Sequence, residues 1–138
     1  MKSESTRIFV YGTLKPGERN YSVYCEGQVL SQMPAYTWGD LYALPVGYPA
    51  MTEGTNKVRG VLLSFNDPQI LSSLDRLEDY KEDRAADLNE YERLWVPTYD
   101  SSDRLITYAW AYYMTTARIS QHQGLKLASG IWHGITLD

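Results

Sequence analysis

Cysteine and histidine are scarce in this sequence: there is one cysteine, Cys25, and two histidines, His122 and His133. A lone cysteine forms no internal disulfide, which fits a reducing compartment. No histidine lies near it in the sequence, so it reads as a structural thiol rather than a nucleophile. Neither paired cysteines nor an HxxxH pattern is present, and no metal or organic cofactor is expected. Lysine and arginine are dispersed and the formal net charge is −4, which argues against a nucleic-acid partner. No apolar run approaches the length of a membrane span, and the start lacks a basic-then-apolar signal layout. The expected setting is therefore cytoplasmic, with no membrane partner. Gly-Lys-Ser/Thr and GxGxxG are both missing, so phosphate-loop and dinucleotide chemistry are not indicated. Repeats and low-complexity linkers are also missing.

What is abundant is polar-tipped aromatic surface. Twelve tyrosines and four tryptophans stand against two phenylalanines. Such side chains suit a half-buried sheet or the wall of a polar pocket, and sheet packing accounts for most of them. The 138 residues suggest a single domain spanning 1–138 with one core. Residues 1–6 are polar and read as loose. "RIFVY" (7–11) reads as a buried strand, and 12–27 as a loop with a short helix. "YTWGDLYALP" (36–45) reads as a strand with a bulge at Gly39, and "VGYPAMTEG" (46–54) as a turn region. "VRGVLLSF" (58–65) reads as a strand. A helix follows, capped by Asp67 with Pro68 in its first position, and ends near Tyr80. Residues 81–90 are charged and read as an exposed loop or short helix. "YERLWVPTYD" (91–100) and "RLITYAWAYYM" (104–114) form a hairpin, with Pro97 at an edge or a bulge. The tail, 118–138, shows no clear element. One convincing helix among several strands indicates an α+β fold with a mainly antiparallel, barrel-like sheet.

The helix "DPQILSSLDRLEDY" carries one charge on its apolar face. At about 100° per residue from Ile70, Leu77 falls at about 340°, Leu74 at about 40° and Leu71 at about 100°. Glu78 falls at about 80°, inside that stripe, while Asp75, Arg76 and Asp79 fall outside it. On this phase Asp75 lies on the outer face, and Asp75→Asn is expected to leave turnover almost unchanged. A carboxylate on an apolar face is costly unless paired or protonated. Two readings follow: a structural ion pair or an escape to solvent at the helix end, and a desolvated acid with a raised pKa suited to proton transfer. Periodicity alone favours the first, because structural ion pairs use such positions too.

The stretch "YGTLKPGERN" (11–20) is longer than a tight turn requires. Glycines at 12 and 17 allow the backbone to turn so that successive N–H groups form an anion-binding nest. Taken alone, it reads as a plain turn more readily than as a site.

The two features together are specific. "FVYGTLKPGERN", "GDLYALPVGYPAM", "VRGVLLSF", "LDRLEDY", "YER" and "YAWAYY" resemble the γ-glutamylcyclotransferase-like family over residues 7–114, and "LASGIWHG" resembles its C-termini. The resemblance is closest to the γ-glutamylamine cyclotransferase branch. It implies a mixed sheet closing toward a small barrel with a cavity at one mouth. It also implies that Tyr11, Gly12, Thr13 and Leu14 form the loop whose amides hold a glutamyl group. Glu78 then matches the acid/base residue and Tyr112 the sheet tyrosine, with Tyr113 one register away. Tyr91 and Arg93 support the wall. The chain departs from the family in having Asp79 where many relatives have Gly after the glutamate, and in its longer acidic stretch 81–90.

The implied reaction is intramolecular. The α-amine of a small γ-glutamyl substrate attacks the side-chain carbonyl, 5-oxoproline forms and an amine leaves. Such a reaction needs no protein nucleophile. Three other readings stand beside it: a binding module for a small acidic or glutamyl-like ligand, an enzyme removing a γ-glutamyl protecting group in a biosynthetic pathway, and a structural protein whose aromatic sheet is merely core. The leaving amine and the oligomeric state stay open.

Overall fold

The computed structural model describes residues 5–85 and 88–134. Nine elements follow in the order β1 (Thr6–Val10), α1 (Tyr21–Tyr24), β2 (Val29–Ala43), β3 (Pro49–Phe65), α2 (Ile70–Leu77), β4 (Glu92–Tyr99), β5 (Leu105–Tyr113), α3 (Thr116–Gln121) and β6 (Leu125–Lys126). The strands bond in the order β3-β1-β5-β4-β2-β6, and β3 also pairs with β2, which turns the sheet into a ring. Two of its junctions are narrow: β2–β4 pairs at Tyr36↔Tyr99 and β1–β5 at Ile8↔Trp110. All pairings are antiparallel except β1 with β5. The fold is thus α+β and mainly antiparallel, as the pattern of elements indicates, with an incompletely bonded ring rather than a regular barrel.

β1 explains why "IFVY" is apolar without alternation. Ile8 and Val10 pack with Leu63, Phe65, Ile70, Leu74 and Tyr112 on the α2 side. Phe9 and Tyr11 pack with Met51, Val58, Ala109, Ala111 and Tyr113 inside the ring. A strand covered on both faces has no polar face to show. Cys25 is buried, and desolvation pushes its thiol up to about 11, in keeping with a structural role.

Several boundaries differ from expectation. β2 starts at Val29, not residue 36, and Pro34 sits within it. Residues 49–54 are strand rather than turn, because β3 pairs with β2 back to Pro49↔Ala43. The bulge does fall at Gly39, between Gly39 and Asp40. Pro97 lies in β4 beside that strand's scarcely bonded edge, where a missing N–H is tolerated. The tail contains α3, whose Thr115 side chain accepts from the amide of Arg118, and β6. Of the segment expected to be loose, Thr6 belongs to β1 and residues 1–4 lie outside the described residues. Within 81–90, Asn89 is buried rather than exposed, while 86 and 87 lie outside the described residues.

Candidate active site

α2 forms because Ile70 and Leu74 bury against the sheet, with Leu71 and Leu77 packed beside them. Its N-cap is Gln69, two residues later than Asp67. The Asp67 carboxylate accepts from the amide of Gln69 at 2.9 Å, and the turn from Asp67 to Leu71 is closed by i→i+3 bonds before the α-helix begins. Its end is a Schellman motif: the amide of Tyr80 bonds the carbonyl of Asp75, and that of Asp79 the carbonyl of Arg76. Asp79 has φ +53°, the left-handed conformation that favours glycine. The Arg84 guanidinium holds this residue by its carbonyl at 2.6 Å and its carboxylate at 3.0 Å. The departure from Gly at this position is therefore tolerated by a local clamp. Glu78 is the C-cap, one residue beyond the last helical turn, and the motif fixes where it points.

Glu78 lines a cavity of about 370 Å³ together with Tyr11, Gly12, Thr13, Leu14 and Tyr112. All six residues singled out in the sequence meet there. Among the described residues Glu78 makes no ion pair or side-chain hydrogen bond. Desolvation, and then the charge of Glu90, push its carboxyl up to about 8. The structural ion pair and the escape to solvent both fail to describe it.

The loop is built from its glycines in two ways. Gly17 has φ +90° and makes the turn. Gly12 is there for space: a Cβ on it would lie 2.6 Å from Cγ of Pro49. The amide of Lys15 bonds the carbonyl of Gly12, and Asn20 bonds both the carbonyl and the hydroxyl of Thr13. The amides of Gly12, Thr13 and Leu14 have no acceptor among the described residues. The tail clamps the loop from outside. Lys15 Nζ donates to the carbonyl of Trp132, and the amide of Gly134 donates to Glu18.

The tyrosines mostly hold the walls. Tyr11 donates to the carbonyl of Tyr112 at 2.7 Å, and Tyr91 to the carbonyl of Pro49 at 2.7 Å. Burial raises the pKa of both well above the usual phenol range, so they stay neutral donors. Tyr112 faces the cavity. Tyr113 belongs to the other core cluster and donates to the carbonyl of Trp38. The Tyr112 hydroxyl donates to Asp75 Oδ1 at 2.7 Å, leaving its ring rather than its oxygen for a ligand.

Asp75 corrects the helical-wheel reading. It is not on a free outer face: Arg93 Nη1 pairs with its Oδ2 at 2.8 Å, with side chains only 13% and 19% exposed for Arg93 and Asp75 respectively. Arg93 and Tyr112 are direct cross-strand partners, and that register delivers both to one carboxylate. The expectation that Asp75→Asn leaves turnover almost unchanged is withdrawn. Arg93 sits behind the cavity wall, over the rings of Trp110 and Tyr80.

Periodicity missed Arg19, Asn20, Tyr48 and Glu90, all of which line the cavity. Glu90 arrives from the acidic stretch, its amide bonded to the carbonyl of Asp79 at 3.1 Å. Nothing in a charged, aperiodic segment distinguishes it from its neighbours. No helix among the described residues is long and apolar enough to cross a membrane.

Comparison with known proteins bears on the family and the fold. The chain is 35% identical over 103 residues to a "Putative gamma-glutamylcyclotransferase" of Vibrio cholerae, covering 71% of this chain and 85% of the relative. The solved AIG2-like protein of Mus musculus superposes with a TM-score of 0.65 at 22% identity, over 83% of this chain and 80% of that one. YkqA of Bacillus subtilis superposes with a TM-score of 0.63 at 21% identity over 93% of this chain, which spans 39% of YkqA. At these identities the two structures speak for the fold alone. The profile of the family described as "Gamma-glutamyl cyclotransferase, AIG2-like" matches residues 8–134, and the chain therefore belongs to that family and is a cyclotransferase-type enzyme.

Proposed function

We propose that the protein releases 5-oxoproline and a free amine from a γ-glutamyl amide, by attack of the substrate's α-amine on its own side-chain carbonyl. The observation that carries this reading is the unpaired Glu78 carboxyl in a cavity beside the Tyr11–Leu14 turn. The amides of residues 12–14 would bind the glutamyl α-carboxylate or the developing oxyanion. Tyr112 would pack against the glutamyl chain, and Glu78 would move protons from the α-nitrogen to the leaving nitrogen. The walls hold amine and carbonyl together, which converts lost freedom into rate. No side chain need act as a nucleophile, consistent with a cavity lined by no cysteine or histidine among the described residues.

A cavity of this size would hold the glutamyl half, and Arg19, Tyr48 and Glu90 in its lining would read the leaving amine. The γ-glutamylamine type of substrate suits this layout. The test is incubation with a panel of γ-glutamyl amides, including γ-glutamyl-ε-lysine and γ-glutamyl amino acids, with 5-oxoproline monitored. Release from at least one amide is the expected result. Thermal stabilisation by these ligands without any 5-oxoproline would instead identify a binding module.

A further inference from the structure

Cyclisation imposes a proton count that one carboxyl does not satisfy unaided. The substrate enters with an α-ammonium bearing three protons, and the lactam nitrogen keeps one. The leaving nitrogen begins with one proton and departs as an ammonium with three. Two protons therefore cross from one nitrogen to the other, while one C–N bond forms and one breaks, with no oxidation or reduction. Glu78 can carry these singly, provided it starts as a carboxylate. Its surroundings favour the opposite form, since burial and a neighbouring negative charge keep it protonated near neutral pH.

The neighbouring charge is Glu90, and its side chain is organised in a way the mechanism above does not use. Glu90 lines the cavity. Its amide is tied to the carbonyl of Asp79, the residue after Glu78, at 3.1 Å. Its Oε1 lies 2.5 Å from His122 Nε2, and its Oε2 lies 3.8 Å from Arg118 Nη1. His122 follows α3 as its C-cap and is partly open to solvent, at 21% exposure. A cavity-facing carboxylate backed by a solvent-reaching imidazole is a two-station connection between the cavity and bulk water.

We propose that Glu90 and His122 form a proton path between the cavity and solvent, carrying away the proton that Glu78 must shed before the substrate's ammonium group becomes a nucleophile. The proposal rests on the cyclisation reading. Glu78 passes its resting proton to Glu90, and His122 delivers it to water. The Glu78 carboxylate then takes one proton from the ammonium and gives it to the leaving nitrogen as the C–N bond breaks. It takes a second from the new lactam nitrogen and gives that to the departing amine. The path returns one proton from water, and Glu78 is restored. Arg118, beside the other oxygen of Glu90, orients that carboxylate, a positioning role. The other titratable groups that face Glu90 are Glu78 from the end of α2, Tyr48 from the turn before β3, and Tyr91 just before β4.

The test uses His122→Ala, which opens a partly exposed gap the size of an imidazole, and Glu90→Gln as a second variant. With a γ-glutamyl amide that the wild type cleaves, kcat of His122→Ala is expected to fall about 10- to 100-fold with KM within about threefold, and to recover as imidazole is added. A merely structural histidine would not respond to imidazole. Glu90→Gln should show a similar loss without rescue. An unchanged kcat in His122→Ala, or a loss that imidazole leaves untouched, overturns the proposal. So does a Glu90→Gln variant that raises KM alone, which would assign Glu90 to binding the leaving amine. Titration of the Glu78 carboxyl by ¹³C NMR needs no turnover: it should move to lower pH in Glu90→Gln, and an unmoved titration also overturns the proposal. Failure of the cyclisation reading is distinguishable, because the wild type would then release no 5-oxoproline from any amide.

Discussion

Asp75 and Glu78 lie within one turn of each other at the end of α2, and they end in opposite electrostatic settings. Asp75 is saturated: it takes the Arg93 guanidinium on one oxygen and the Tyr112 hydroxyl on the other. Glu78 has no such partner, lines the cavity, and is driven toward its neutral form. Burial alone does not distinguish a structural acid from a reactive one. What distinguishes them is whether the surrounding strands bring a cation and a donor to the carboxylate, or withhold both. In this protein the β4–β5 register supplies Arg93 and Tyr112 to the first, and the Schellman turn leaves the second in the cavity with neither a cation nor a donor on its oxygens among the described residues.

The comparison breaks most visibly at Glu78→Gln. On the proposed reading the substitution keeps size and removes proton transfer, so release of 5-oxoproline should fall about 10²- to 10⁴-fold with the fold intact. A purified, folded Glu78→Gln protein turning over at the wild-type rate would mean the wrong acid has been chosen. Asp75→Asn should show the converse signature. It removes the counter-charge from a largely buried Arg93, and urea unfolding should report a loss of about 1–3 kcal/mol. Turnover should drop less than for Glu78→Gln, through the displaced Tyr112 ring. A destabilisation within error would show that the pair is replaceable.

The pH dependence separates the two acids further. The folded-state pKa of Glu78 lies above its ordinary value of 4.5, at about 8. The unfolded chain therefore releases this proton first as pH rises. Glu78 costs folding free energy increasingly from pH 4.5 upward, and the full cost is present above about 8. Glu78→Gln should thus be nearly neutral for stability at pH 4 and raise Tm at pH 8.5. The same titration predicts that kcat/KM of the wild type rises with pH through about 8, where the free enzyme acquires the carboxylate. A flat profile between pH 6 and 9 would contradict this. The smallest effect belongs to Asp79→Gly. It relieves a left-handed aspartate and gives up only an exposed ion pair to Arg84, so stability should rise by no more than about 1 kcal/mol. A loss larger than that would mean that the Arg84 clamp, not the backbone conformation, holds the turn after Glu78.

Much of this was legible in the linear pattern. The 3.6-residue period of Ile70, Leu74 and Leu77 located α2 and marked Glu78 as misplaced. The unbroken "IFVY" marked a strand covered on both sides, and Gly39 marked a bulge. Hairpin β4–β5 followed from two aromatic, β-branched runs around "SSD". Each of these signals is local, set by the geometry of neighbouring turns or alternate residues. The readings that failed were those in which a distant partner overrides the local signal. Residues 49–54 look like a turn, yet pairing with β2 draws them into β3. Asp75 sits at the margin of the helical stripe, and only the register of Arg93 against Tyr112 buries it.

The sequence by itself determined the class of elements, the phase of α2, the glycine-bearing loop after β1 and the presence of an acid where an apolar residue belongs. Only the tertiary structure decided that this acid goes unpaired, that Tyr112 and not Tyr113 faces it, and that Arg19 and Glu90 join it in one cavity. The reason is physical. Propensity and periodicity act over a few residues, whereas a cavity and its electrostatics arise from groups far apart in the chain, brought together by ring closure of the sheet.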